Sequence, residues 1–91
     1  MLQAIDQNIA LEQRRQAACP RGVGVQTQSF TAHAENAEIW DVNGRRLIDF
    51  GSGIAVLATG HRHPRVLAAV QQQLGDFHHT CFPGAPYESY V

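Results

Sequence analysis

Lysine is absent from the 91 residues, and all seven basic side chains are arginines. No side chain here can form a Schiff base with a carbonyl compound, so chemistry of that kind is not completed on this chain alone. Cysteine is scarce too. Cys19 and Cys81 are too few for a disulfide framework, and the expected setting is reduced and cytoplasmic. Charge of either sign is thin, with a net of -1. That leaves out the basic face needed for nucleic acid or an anionic membrane, so neither is an expected partner. No apolar run nears the roughly 20 residues of a bilayer span. The opening stretch MLQAIDQNIALEQRR lacks the basic head and unbroken apolar segment of a secretory signal. The length itself allows one domain or part of one, since a core usually takes roughly 100–150 residues.

What remains is 44% hydrophobic, enough for a globular chain and too much for a disordered one. From Ala4 to about Ala18 good helix formers dominate, with Leu2, Ile5 and Ile9 on one stripe and Arg14 and Arg15 near the C-terminal end. Pro20 stops this helix. Next, Ile39–Val42 and Arg45–Phe50 flank Asn43-Gly44. That pair predicts a hairpin with a type I′ turn, positive in φ at both central residues. A further strand around Ser29–Ala34 would complete a small antiparallel sheet. Gly51-Ser52-Gly53 ends the second hairpin strand, Ile54–Leu57 is a short apolar run, and Thr59–His63 reads as a loop. Pro64 starts a second helix, where its missing N–H costs nothing. Val66, Leu67, Val70, Leu74 and Phe77 form its apolar stripe, and Gln71–Gln73 its solvent side. The fold class is α+β: helix, small antiparallel sheet, loop, helix, loop.

Several constellations invite chemistry. His61, His63, His78, His79 and Cys81 are zinc-ligand types, but their spacing matches no zinc motif, and a helix separates the two groups. The plainer expectation places His63 at a helix start and His78 in a last turn. Gly51, Gly53 and Gly60 lack the pattern of a phosphate loop. Cys81 beside His79 has no orienting acid nearby to make a nucleophile. Asp41 and Asp49 on the hairpin are expected to be solvated or locally paired. No catalytic, cofactor-binding or metal residue is assigned.

Longer segments carry more. PRGVG (Pro20–Gly24), AENAEIWDVNGRRLIDF (Ala34–Phe50), GIAVLATGHRHPRV (Gly53–Val66), HTCF (His79–Phe82) and PYESYV (Pro86–Val91) resemble the N-terminal part of class III pyridoxal-phosphate-dependent aminotransferases. Among these the likeness is to the 4-aminobutyrate type. The resemblance covers about four-fifths of the chain, in consistent order and spacing.

It implies that residues 1–91 are an N-terminal segment, part of the small domain of a fold-type I transferase, leading toward the large domain. It also implies a cofactor, pyridoxal 5′-phosphate, attached to a lysine outside these residues, and a homodimeric full-length form. The implied reaction moves an amino group from 4-aminobutyrate or a similar ω-amine to 2-oxoglutarate, giving succinate semialdehyde and glutamate. The 91-residue chain alone is then expected to be inactive. The substrate-binding residues implied are Ile54, near the pocket mouth, and Phe82 in Cys81-Phe82-Pro83. Four positions depart from the family pattern: Pro83 stands for glutamine, Ala58 for asparagine, Ser89 for proline, and Gly51-Ser52-Gly53 for Ala-Gly-Gly. A different expectation, a non-catalytic truncated module that binds a full-length homologue, fits the same length. Either way, the apolar faces of sheet and second helix are expected to need further chain, and the isolated chain to unfold without a sharp transition.

Overall fold

In the computed structural model, which describes residues 5–91, the first helix α1 runs Gln7–Ala18. Asp6 caps it, its carboxylate accepting the N–H groups of Asn8 and Ile9. Cys19 beyond it is extended, at φ −98° and ψ 143°, the geometry that a following proline imposes. Leu2 and the expected start at Ala4 lie outside the described residues. Ile5 and Ile9 are exposed, so the expected apolar stripe is not the seated one. The half-buried positions instead include Asn8, Leu11, Glu12 and Arg15. The reason is that α1 docks through polar groups. Asn8 donates to the Asp41 carboxylate at 3.0 Å and accepts the Phe30 N–H at 2.8 Å. The Asn43 side chain accepts the Gln7 N–H at 3.0 Å and donates to Asp6 at 2.8 Å.

The expected sheet is present, in three antiparallel strands ordered β1 (Thr31–Glu35), β2 (Glu38–Asp41) and β3 (Arg46–Ile48). Ile39 faces Leu47 and Trp40 faces Arg46 across the hairpin. Its turn is not type I′. Gly44 is left-handed at φ 81°, but Asn43 is not among the residues of positive φ. The Gly44 N–H bonds the Asp41 carbonyl at 2.9 Å, and the Asp41 N–H bonds the Arg45 carbonyl at 3.0 Å. This is a three-residue loop with glycine in the left-handed position. Asp41 selects it: one carboxylate oxygen accepts the Asn43 and Arg45 N–H groups at 3.0 and 2.8 Å, an arrangement in which the side chain mimics a turn.

The segment after β3 closes a single short turn, α2 (Ser52–Ala55), and the polar stretch to His61 follows. Helix α3 spans Pro64–Leu74, with proline in its first turn and His63 as N-cap, the His63 ring accepting the Arg65 N–H at 3.2 Å. His63 thus sits where expected. His78 does not, because the helix ends at Leu74 with Gly75 at its C-cap. Gln73 is half-buried rather than solvated, since its amide donates to the Phe77 carbonyl at 3.1 Å. A short 3₁₀ turn, Glu88–Tyr90, closes the chain.

Two units divide the chain, Met1–His61 and Arg62–Val91. Among the described residues no apolar side chain is buried, and the buried side chain is Asp41, 3% exposed. Of the two alternatives expected, solvated or locally paired, Asp41 is locally paired, with the Asn43 and Arg45 N–H groups and the Arg45 guanidinium. Burial alone would push its carboxyl up, but the Arg45 N–H, the Asn8 amide, the Asn43 N–H and the Arg45 charge outweigh it and hold the carboxyl below its ordinary range. Val66, Val70 and Leu74 on α3 are at least half exposed. Among the described residues no helix is long and apolar enough to cross a membrane.

Candidate functional site

Where the sequence shows a glycine-rich strand end and a short apolar run, the backbone takes its least ordinary path. Ser52, Gly53, Ile54 and Ala55 have φ of 51°, 62°, 60° and 63°, so α2 is one turn of left-handed helix. The Ala55 N–H reaches the Gly51 carbonyl at 3.0 Å and the Val56 N–H the Ser52 carbonyl at 2.9 Å. Glycine takes this conformation freely. For other L-residues the Cβ crowds the next carbonyl, at about 1–2 kcal/mol each, and a β-branched residue such as Ile54 is a marked outlier. Ile54 is also 88% exposed. The turn therefore presents an apolar side chain to its surroundings on a strained backbone, which is how binding walls and clamps are often built.

Polar contacts surround the turn. One Asp49 carboxylate oxygen accepts the Ser52 N–H at 2.9 Å, and the other lies 2.6 Å from His61 Nε2. The His61 contact and the Ser52 N–H outweigh burial and hold the Asp49 carboxyl below its usual range. The backbone of His61 exchanges two hydrogen bonds with Asn36, at 2.8 and 3.0 Å. Asn36, Asp49, Ser52, Leu57 and His61 line a cavity of about 340 Å³. The Ser52 hydroxyl donates to the Leu57 carbonyl at 3.3 Å rather than to His61, so Ser52, His61 and Asp49 form no nucleophile relay. Asp49, expected to be solvated or locally paired, is locally paired through the Ser52 N–H and also meets His61, a partner that sequence spacing did not suggest.

Phe82 lies in the other unit. Its ring meets Tyr87 edge-on at 5.4 Å and Tyr90 at 4.3 Å, and Phe77 meets Tyr87 at 5.2 Å. The cluster uses Phe82 as a packing residue, half-buried, beside Cys81, which is left-handed at φ 57° and exposed. Among the described residues no group of three or more histidine, cysteine or acidic side chains is placed to hold a metal ion. Nor do the residues present fit a Schiff-base cofactor, since the chain has no lysine to hold one.

The fold is similar to that of solved proteins. The ornithine aminotransferase of Toxoplasma gondii superposes with a TM-score of 0.69 and 27% identity, over 82% of this chain and 17% of that one. By sequence, the 5-aminovalerate aminotransferase of Pseudomonas aeruginosa is 57% identical over 84 residues, 92% of this chain and 20% of its own. The 4-aminobutyrate aminotransferase of Escherichia coli is 52% identical over 87 residues, 96% of this chain and 20% of its own. The family described as aminotransferase class-III matches residues 20–91, and the chain belongs to that family. It spans about a fifth of the length of these curated relatives.

Proposed function

We propose that this chain is the N-terminal segment of a class III aminotransferase that moves an amino group from 4-aminobutyrate or a similar ω-amino acid to 2-oxoglutarate. Its products are the corresponding semialdehyde and glutamate. The observation that carries the reading is the strained, left-handed turn at Ser52–Ala55, which holds an exposed Ile54 in a chain of this family. Strain of this kind persists where function uses it. Relatives named for 4-aminobutyrate and 5-aminovalerate support an ω-amino donor, whose methylene chain suits an apolar wall.

Ile54 is then an apolar wall for the donor. Pyridoxal phosphate, bound by residues outside these 91, supplies the electron sink for amino transfer. This chain's own part is to orient the donor and keep water from it. The active form is a homodimer, and the unpaired, exposed Cys19 and Cys81 suit a cytoplasmic setting. A second reading, a non-catalytic module that binds a longer homologue, draws on the absence of a buried apolar side chain among the described residues.

One experiment separates them. The chain replaces the matching first fifth of the Pseudomonas aeruginosa relative, and the chimaera is assayed with both ω-amino acids and 2-oxoglutarate. Cofactor-loaded, active enzyme is the expected result. A folded chimaera that transfers no amino group from either donor overturns the aminotransferase reading and leaves the binding module, checked by co-purification with a full-length homologue.

A further inference from the structure

Asp49, His61 and Asn36 have no part in the apolar wall, yet each is fixed by short polar contacts around it. Asp49 bonds the first residue of the left-handed turn, Ser52, at 2.9 Å and the last residue of the loop, His61, at 2.6 Å. His61 is tied in turn to Asn36 in the β1–β2 turn by paired backbone hydrogen bonds. The Asp49 N–H bonds the Ala37 carbonyl at 2.8 Å, so both ends of residues 49–61 are anchored to the same hairpin turn. Gly60 makes the closure possible. It is left-handed at φ 79°, and a Cβ there would stand 3.0 Å from backbone atoms of Asn36.

The left-handed turn lies inside this closed loop. In an open loop Ser52, Ile54 and Ala55 would relax toward ordinary φ, because their Cβ atoms oppose the left-handed form. They persist only if their surroundings over-determine them. Asp49 and His61 are placed to do that. Their side chains are 15% and 21% exposed, and the carboxylate spends both oxygens on the loop.

We propose that Asp49 and His61 are positioning residues for donor specificity: their carboxylate–imidazole contact clamps residues 49–61, holds α2 left-handed and so fixes where Ile54 projects. This inference rests on the reading of Ile54 as a donor wall. A donor one methylene longer or shorter is discriminated by the position of that wall, so loosening the clamp changes which donor is preferred.

The test uses the active chimaera with Asp49→Asn, His61→Gln and Ile54→Ala. The first readout is the ratio of kcat/KM for 4-aminobutyrate to that for 5-aminovalerate. The second is amide hydrogen exchange across residues 51–57. Ile54→Ala is expected to move the ratio at least about fivefold, as expected when one apolar contact is lost. Asp49→Asn and His61→Gln are expected to move it in the same direction and to speed exchange at Ser52, Ala55 and Val56 at least about tenfold.

A ratio shifted by Ile54→Ala but unmoved by both clamp variants overturns the positioning role alone. An unmoved ratio in Ile54→Ala overturns the wall reading, and the inference falls with it. Loss of folded holoenzyme in both clamp variants also overturns it, because the pair would then be a general folding element.

Discussion

Two turns in the first unit both demand left-handed backbone, and they meet the demand in opposite ways. In the Asp41–Arg45 turn the demand falls on Gly44, at φ 81°, and a buried carboxylate one turn-length away organises the rest. Nothing is strained. In the Ser52–Ala55 turn it falls on Ser52, Ile54 and Ala55 as well as Gly53. The first turn is built by local chemistry. The second sits inside a loop whose ends are closed by residues distant in sequence, Asn36 and His61. A conformation that opposes its own residues marks the place where structure serves something other than stability.

The contrast can be broken most sharply at two glycines of nearly equal φ. Gly60→Ala adds a Cβ at 3.0 Å from the Asn36 backbone at φ 79°, and should destabilise the chimaera by about 3 kcal/mol through strain and overpacking together. Gly44→Ala meets nothing within 4 Å at φ 81°, so only the backbone term of about 1 kcal/mol applies. Thermal unfolding of the pair checks both, and equal effects would mean that the loop closure at Asn36 carries no weight.

Ile54→Gly should go the other way. It relieves left-handed strain and stabilises by about 0.5–1 kcal/mol, after allowing for the greater backbone freedom of glycine when unfolded, while kcat/KM for the ω-amino donors falls. A variant that is less stable would remove the strain from the account.

The smallest effect lies in α1. Arg15 holds the Glu12 carboxyl, through contacts of 2.6 and 2.9 Å, down from its ordinary 4.5 to about 2, with Gln16 assisting. A lowered carboxyl pKa stabilises the folded form fully above 4.5, and that contribution is lost as pH falls from 4.5 toward about 2. Once corrected for the intrinsic pH dependence of exchange, the protection of the α1 amides should fall as pH drops through that window in the native sequence. Glu12→Gln should flatten the dependence.

The two turns also show what was legible in the sequence. Pro20, Pro64 and His63 announce helix boundaries because their effects are local, and alternating apolar runs announce the strands. Asn43-Gly44 signalled the hairpin but not its turn, because the Asp41 carboxylate takes the Asn43 and Arg45 N–H groups and closes a three-residue loop instead. Nothing local says that Ile54-Ala55 is left-handed. The hint was Gly51-Ser52-Gly53 followed by Gly60-His61, and its meaning depends on Asp49 and Asn36 closing the loop. The burial of Asp41 was hidden for the same reason, since its partner Asn8 sits 33 residues earlier.

The seating of α1 has a thermal consequence. Asn8, Asn43 and Asp6 attach it by hydrogen bonds, while Ile5 and Ile9 stay in solvent. Detaching such a helix exposes little new hydrocarbon, so the heat-capacity change of that step is small. Its grip therefore weakens almost linearly as temperature rises, without the dome of an apolar contact. Cooling should tighten it steadily, even where oily interfaces elsewhere have begun to loosen.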